Sequence, residues 1–114
     1  LGLFATYHTF NDMSEERLAA AGLPLYMDGA PTVAEMTQFA LRRLSQGGER
    51  FLLVIEEEGT DNFGNHNNAS GVFEAMRRAD EAFGVARAFV AEHPDTLLVT
   101  AADSDAGGMR LSGI

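Results

Sequence analysis

Two short apolar runs, FLLVI at 51–55 and TLLVTA at 96–101, each lead into an acidic stretch that carries glycine. The stretches are EEEGTDNFGNHNN at 56–68 and ADSDAGG at 102–108. Runs of this length, rich in leucine and β-branched residues, predict buried strands. FLLVIEE, about 51–57, is apolar on both faces, as a central parallel strand should be. LGLFA at 1–5 predicts a third, shorter strand.

Other stretches of the chain carry apolar residues at helical spacing. SEERLAAAG at 14–22 fits a short helix closed by Gly22, and the stretch around Pro24, Asp28, Gly29 and Pro31 reads as loop. Thr32 and Glu35 have the spacing of a capping box, in which each side chain satisfies the other residue's free backbone N–H. Val33, Met36, Ala40 and Leu44 then recur at helical spacing, and Gly47-Gly48 ends the helix. The longest predicted helix runs from about Ala69 to Glu92, with Val72, Met76, Ala79, Phe83, Ala86 and Val90 as its buried stripe and Pro94 as its stop. These methionine and phenylalanine stripes read as core. An irregular loop is expected between Gly59 and Gly64. The order β, α, β, α, β predicts an α/β fold with a parallel sheet and right-handed crossovers.

Composition narrows the class. At 114 residues the chain has the length of one domain at most. No apolar run approaches the length of a membrane-spanning helix. With 17 acidic and 8 basic side chains the net charge is −9, which argues against a nucleic-acid surface and suits cation binding or plain solubility. There is no cysteine, so disulfides and thiolate metal sites are excluded and the redox compartment stays open. The chain opens at Leu1 inside a predicted strand and closes in loop-like sequence, as expected of a piece of something longer.

The candidate chemistry sits at the two acidic strand ends, where open α/β sheets collect ligands. Glu56, Glu57 and Glu58 repel one another unless solvent or a cation screens them. Glu56 still belongs to the apolar strand, and Asp61 follows five residues on, across a turn that Gly59 permits. Both are therefore candidate metal ligands. Asp103 leaves the later strand directly and should face the same crevice if the strands are neighbours. His66 lies near Asp61, although a histidine in an asparagine-rich loop is more often a hydrogen-bonding loop residue. His8 is a weaker candidate, and a charge at a helix C-terminus accounts for His93. The five serines show no nucleophile-elbow context, and neither a phosphate-binding nor a dinucleotide glycine motif occurs.

In their order and spacing, these blocks resemble the alkaline phosphatases. LGLFA at 1–5, PTVAEMTQFALRRLS at 31–45, FLLVIEEEGTD at 51–61, ADEA at 79–82 and TLLVTAAD at 96–103 look like consecutive blocks of that family, while residues 6–30 match poorly. The resemblance implies that residues 1–114 are part of a three-layer α/β/α domain, an internal or C-terminal-half fragment without the nucleophile region. It assigns Glu56 to magnesium, Asp61 to one zinc and Asp103 to a second. The family's two neighbouring histidines are replaced here by Asn65 and Ser104, and His66 stands one residue late, a rotation of about 100° on a helix. Asn65, His66 and Ser104 thus remain secondary candidates at the edge of the ligand set. Such an oxygen-rich site would favour magnesium, calcium or manganese over zinc.

By the same resemblance the parent protein hydrolyses phosphate monoesters, is periplasmic or secreted, and has room for a homodimer. No membrane partner is expected. The fragment alone should not turn over substrate, because the nucleophilic serine lies outside it. Two other readings stand beside this one. One is a non-catalytic cation-binding or interaction module. The other is a related metal-dependent hydrolase such as a sulfatase, against which the PTVAEMT block argues.

Overall fold

Local capping chemistry sets the helices, and the computed structural model describes residues 8–102 and 108–110. Helix α1 (Glu15–Ala21) begins at Ser14, whose hydroxyl accepts the Arg17 N–H, and closes at Gly22. Helix α2 (Val33–Ser45) opens with the expected capping box: Thr32 N–H donates to Glu35 Oε2 at 2.8 Å, and Glu35 N–H donates to Thr32 Oγ1 at 3.1 Å. Helix α4 (Ala69–Glu92) has the expected bounds. Its cap is Asn68, fully buried, whose side-chain oxygen accepts the Gly71 N–H at 2.7 Å.

A further helix, α3 (Gly59–Asn65), replaces the irregular loop expected there. What orders it is a contact distant in sequence. Phe63, with no exposed surface, lies against α4 at Gly71 and against the rings of Phe10 and Tyr26, at centroid separations of 5.2 and 5.9 Å. Phe10 and Tyr26 are themselves joined by an antiparallel bridge, with Asn11 N–H donating to Leu25 O at 2.8 Å and Met27 N–H to Thr9 O at 2.9 Å. Phe10, Tyr26, Phe63 and Ala75 thereby form a buried cluster, with Leu25 and Val72 packed on it.

The expected parallel α/β sheet is overturned. Among the described residues there is no strand, only helices and the single bridge. The predicted strand 1–5 lies outside the described residues. A strand exists only through pairing, and neither 51–57 nor 96–101 pairs with a described segment. Their apolar side chains instead face water: Leu52 is 87% exposed, Val54 82%, Leu97 86% and Val99 71%. Apolarity alone supplied no pairing partner for either segment.

The buried faces of the two long helices also differ from expectation. In α2 the inward residues are Val33, Thr37 and Leu41, while Met36 and Leu44 are exposed. In α4 they are Gly71, Ala75, Ala82 and Ala86, and Met76 and Phe83 are exposed. The methionine and phenylalanine stripes are therefore not all core. Docking explains the rotation: α3 presses the Phe63 ring onto the Gly71–Ala75 face of α4, and α2 packs along the same helix. Small side chains permit that approach. Thr37 tolerates burial because its hydroxyl donates to Val33 O at 2.7 Å.

Candidate active-site region

Helix α3 carries the first acidic cluster at its start, where unpaired backbone N–H groups favour negative charge. The three glutamates there have different environments. Glu57 is fixed: its Oε1 accepts the Tyr26 hydroxyl at 2.8 Å and the Gly59 N–H at 3.2 Å. Glu58 is the residue before the helix, and its Oε2 lies 3.4 Å from His8 Nδ1. Glu56 is exposed, on the wall of a cavity of about 210 Å³ shared with Glu57, Glu58, Tyr26, Met36 and Arg78.

Tyr26 and Arg78 line the same cavity. The Arg78 guanidinium lies 3.6 Å above the centre of the Tyr26 ring and donates to Glu74 at 2.9 Å. Burial, then the bond to Glu57 and its charge, hold the Tyr26 hydroxyl protonated well above the usual tyrosine range. Glu74 is pulled down to about 2 by hydrogen bonds from Arg77 first and from Arg78. Arg77 also bridges to Glu81, so one arginine braces two turns of α4.

Asp61 is half-buried in the first turn of α3, and its Oδ1 accepts the Asn65 side-chain amide at 2.8 Å. Because α3 is regular through Asn65, Asn65 shares the Asp61 face and His66 turns away from it. His66 meets Asp12 instead, with Nε2 3.2 Å from Asp12 Oδ1. Asp12 also accepts Asn62 Nδ2 at 3.2 Å. Glu56 and Asp61 therefore lie on either side of the α3 start, while Asp103 and Ser104 lie outside the described residues. His93 ends α4 as expected, its N–H bonded to Phe89 O and its ring stacked on Phe89 at 4.1 Å.

Among the described residues no three His, Cys, Asp or Glu side chains converge on a point that could hold a metal ion. The polar groups around the start of α3 are the carboxylates, the Asn65 amide, the Tyr26 hydroxyl and the His8 imidazole. Asp12, Tyr26 and Arg78 were not candidates from sequence. Each reaches the region from an element distant along the chain, and none sits in a patterned motif, so no local signal marks them. Among the described residues no helix is long and apolar enough to cross a membrane.

Comparison with known proteins bears on the whole chain. The family model described as alkaline phosphatase matches residues 1–114. Alkaline phosphatase 3 of Bacillus subtilis (strain 168) is 30% identical over 96 residues, which is 82% of this chain and 21% of that protein. The alkaline phosphatase of Escherichia coli (strain K12) is 30% identical over 103 residues, 90% of this chain and 21% of that protein. Alkaline phosphatase 4 of Bacillus subtilis is 27% identical over 81 residues, 71% of this chain and 18% of that protein. No solved structure matches. The chain spans about a fifth of the length of these relatives. With its family model matched from first residue to last, the chain belongs to the alkaline phosphatase family.

Proposed function

We infer that this chain contributes part of the metal centre of a phosphate monoester hydrolase, and that turnover requires a longer polypeptide. The observation that carries the reading is Asp61, which stands at the start of α3 with one oxygen held by Asn65 inside a chain matched throughout by its family. A ligand oxygen fixed by a neighbouring amide is a common way to orient a carboxylate toward a cation. Glu56 and Asp61 would serve as ligands, with Asp103 as the third. Asn65 orients Asp61 from within its own helix. Ser104 and His66 would be secondary partners at most, and His66 is drawn toward Asp12.

An oxygen-rich set of this kind suits magnesium, calcium or manganese. When bound, such cations supply charge neutralisation on phosphoryl oxygens. This chain's own part is to orient carboxylates: Asn65 fixes Asp61, while Tyr26 and the Gly59 N–H hold Glu57 and with it the backbone that presents Glu56 and Glu58. Phosphate monoesters would be the substrates, in a periplasmic or secreted setting.

The test uses p-nitrophenyl phosphate with the full-length protein. Metal-dependent hydrolysis should fall by at least about tenfold in Asp61→Ala, the scale of loss expected for metal-site residues. The 114-residue chain alone should show no turnover. Full activity in Asp61→Ala would overturn the assignment, and metal-dependent turnover by the short chain would overturn the need for a longer polypeptide.

A further inference from the structure

We propose that Asp12 and His66 form a second cation site, distinct from the Glu56–Asp61 region, that takes a divalent ion of borderline hardness. Asp12 Oδ1 is buried and, among the described residues, accepts no hydrogen bond. A carboxylate oxygen removed from water without a partner is strongly disfavoured, and an ion or ordered water is the usual resolution. His66 Nε2 is 3.2 Å away, yet the pair lacks the alignment of an N–H···O bond. A nitrogen and an oxygen that share one ion at bond lengths of about 2.1 Å, subtending roughly 90° to 110°, lie about 3.0 to 3.4 Å apart. The observed spacing falls within that window. With its proton on Nδ1, the neutral imidazole presents a lone pair at Nε2.

The Asp12 side chain and the His66 backbone are held in place. Asn62 Nδ2 donates to the other Asp12 oxygen at 3.2 Å, and the His66 backbone N–H donates to Asn62 O at 3.2 Å, so one residue braces the Asp12 carboxylate and the backbone that carries His66. The flanking backbone is anchored by Asn68 Nδ2, which donates to Met13 O at 2.9 Å. The His66 and Asp12 side chains as a whole are 37% and 31% exposed. One imidazole nitrogen with one carboxylate oxygen selects zinc, cobalt or manganese over calcium and magnesium. The site lies off the Asp61–Asn65 face of α3 and joins the 8–13 segment to the end of that helix.

The experiment is calorimetric titration of the 114-residue chain with Zn²⁺ alone, paired with ¹⁵N-edited NMR of the histidine rings. A saturable site that includes His66 is expected, with the His66 Nε2 resonance shifting on addition of Zn²⁺. Affinity should fall at least about tenfold in Asp12→Asn and in His66→Gln, and hold in Asp61→Asn. Unchanged affinity in either of the first two variants would overturn the site, as would a His66 resonance that Zn²⁺ leaves unmoved. The NMR result on the unsubstituted chain decides the matter even if a variant fails to fold. The Asp61→Asn arm keeps this site separate from the Glu56–Asp61 assignment.

Discussion

Replacing Gly71 with alanine should destabilise the chain, against the helix propensity of the substitution. In an open helical position, alanine is favoured over glycine by about 1 kcal/mol. At Gly71 a Cβ would stand 2.5 Å from Phe63 Cδ1 and 2.8 Å from Phe63 Cβ, and closer still to Cγ. Carbon atoms attract at about 3.5 to 4.0 Å, so the ring must move by an ångström or more. Phe63 has no exposed surface and touches Phe10 and Tyr26, so its displacement disturbs the cluster that anchors α3. Overpacking of this kind costs about 1 to 3 kcal/mol, and outright loss of a buried phenylalanine contact about 3 to 5. The unfavourable effect is larger, and a net loss on the order of 2 kcal/mol follows. Gly84, on the same helix with nothing within 4 Å of an added Cβ, is the control. Gly84→Ala should stabilise by roughly 0.5 to 1 kcal/mol. Urea unfolding followed by far-UV circular dichroism measures both. Opposite signs are expected, and equal stabilisation by the two substitutions would refute close packing of α3 on α4.

Three further outcomes follow from individual contacts. Tyr26→Phe keeps the ring and removes the bond to Glu57, which should lower stability by about 1 kcal/mol at neutral pH. Because the folded-state pKa of Tyr26 is raised, the associated stability is present below the unfolded value near 10 and is lost as pH climbs above it; the variant should lack that alkaline loss in a pH series of unfolding curves. Thr32→Ala removes the cap of α2 and should cost about 1 kcal/mol, read as a lower urea midpoint with an unchanged slope. The paired change of Leu52 and Val54 to lysine should raise solubility, measured by light scattering against concentration, without lowering helical content, since these side chains are 87% and 82% exposed.

Sequence conveyed the parts of this fold that are local. Thr32 with Glu35, Gly22 and Pro94 each act within a few residues, and the helices they bound start and stop where that chemistry directs. The parallel sheet depended on something no local pattern encodes, which is a neighbour for each apolar run. Helix α3 went unread for a related reason. GTDNFGN has two glycines and poor helix propensity, and its helix is held by burial of Phe63 against residues far along the chain. The rotated faces of α2 and α4 have the same origin. Periodicity identifies a stripe, but the docking partner decides which neighbouring stripe turns inward, and here it is the one lined by Gly71 and Ala75.

The acidic region shows the same division between residue type and arrangement. Glu56 and Asp61 stood out from sequence because carboxylates beside an apolar run and a glycine are chemically conspicuous. Their roles separate only in three dimensions, where Glu57, the middle glutamate, becomes the fixed one through Tyr26 and the Gly59 N–H. Asn65 and His66 are adjacent letters in the chain with opposite assignments. The regularity of α3 puts the asparagine beside Asp61 and swings the imidazole to Asp12. A one-residue offset, read as a departure from the family's pattern, is therefore a change of partner. The burial of Phe63 against Gly71 docks on α4 the helix along which this division of partners is made.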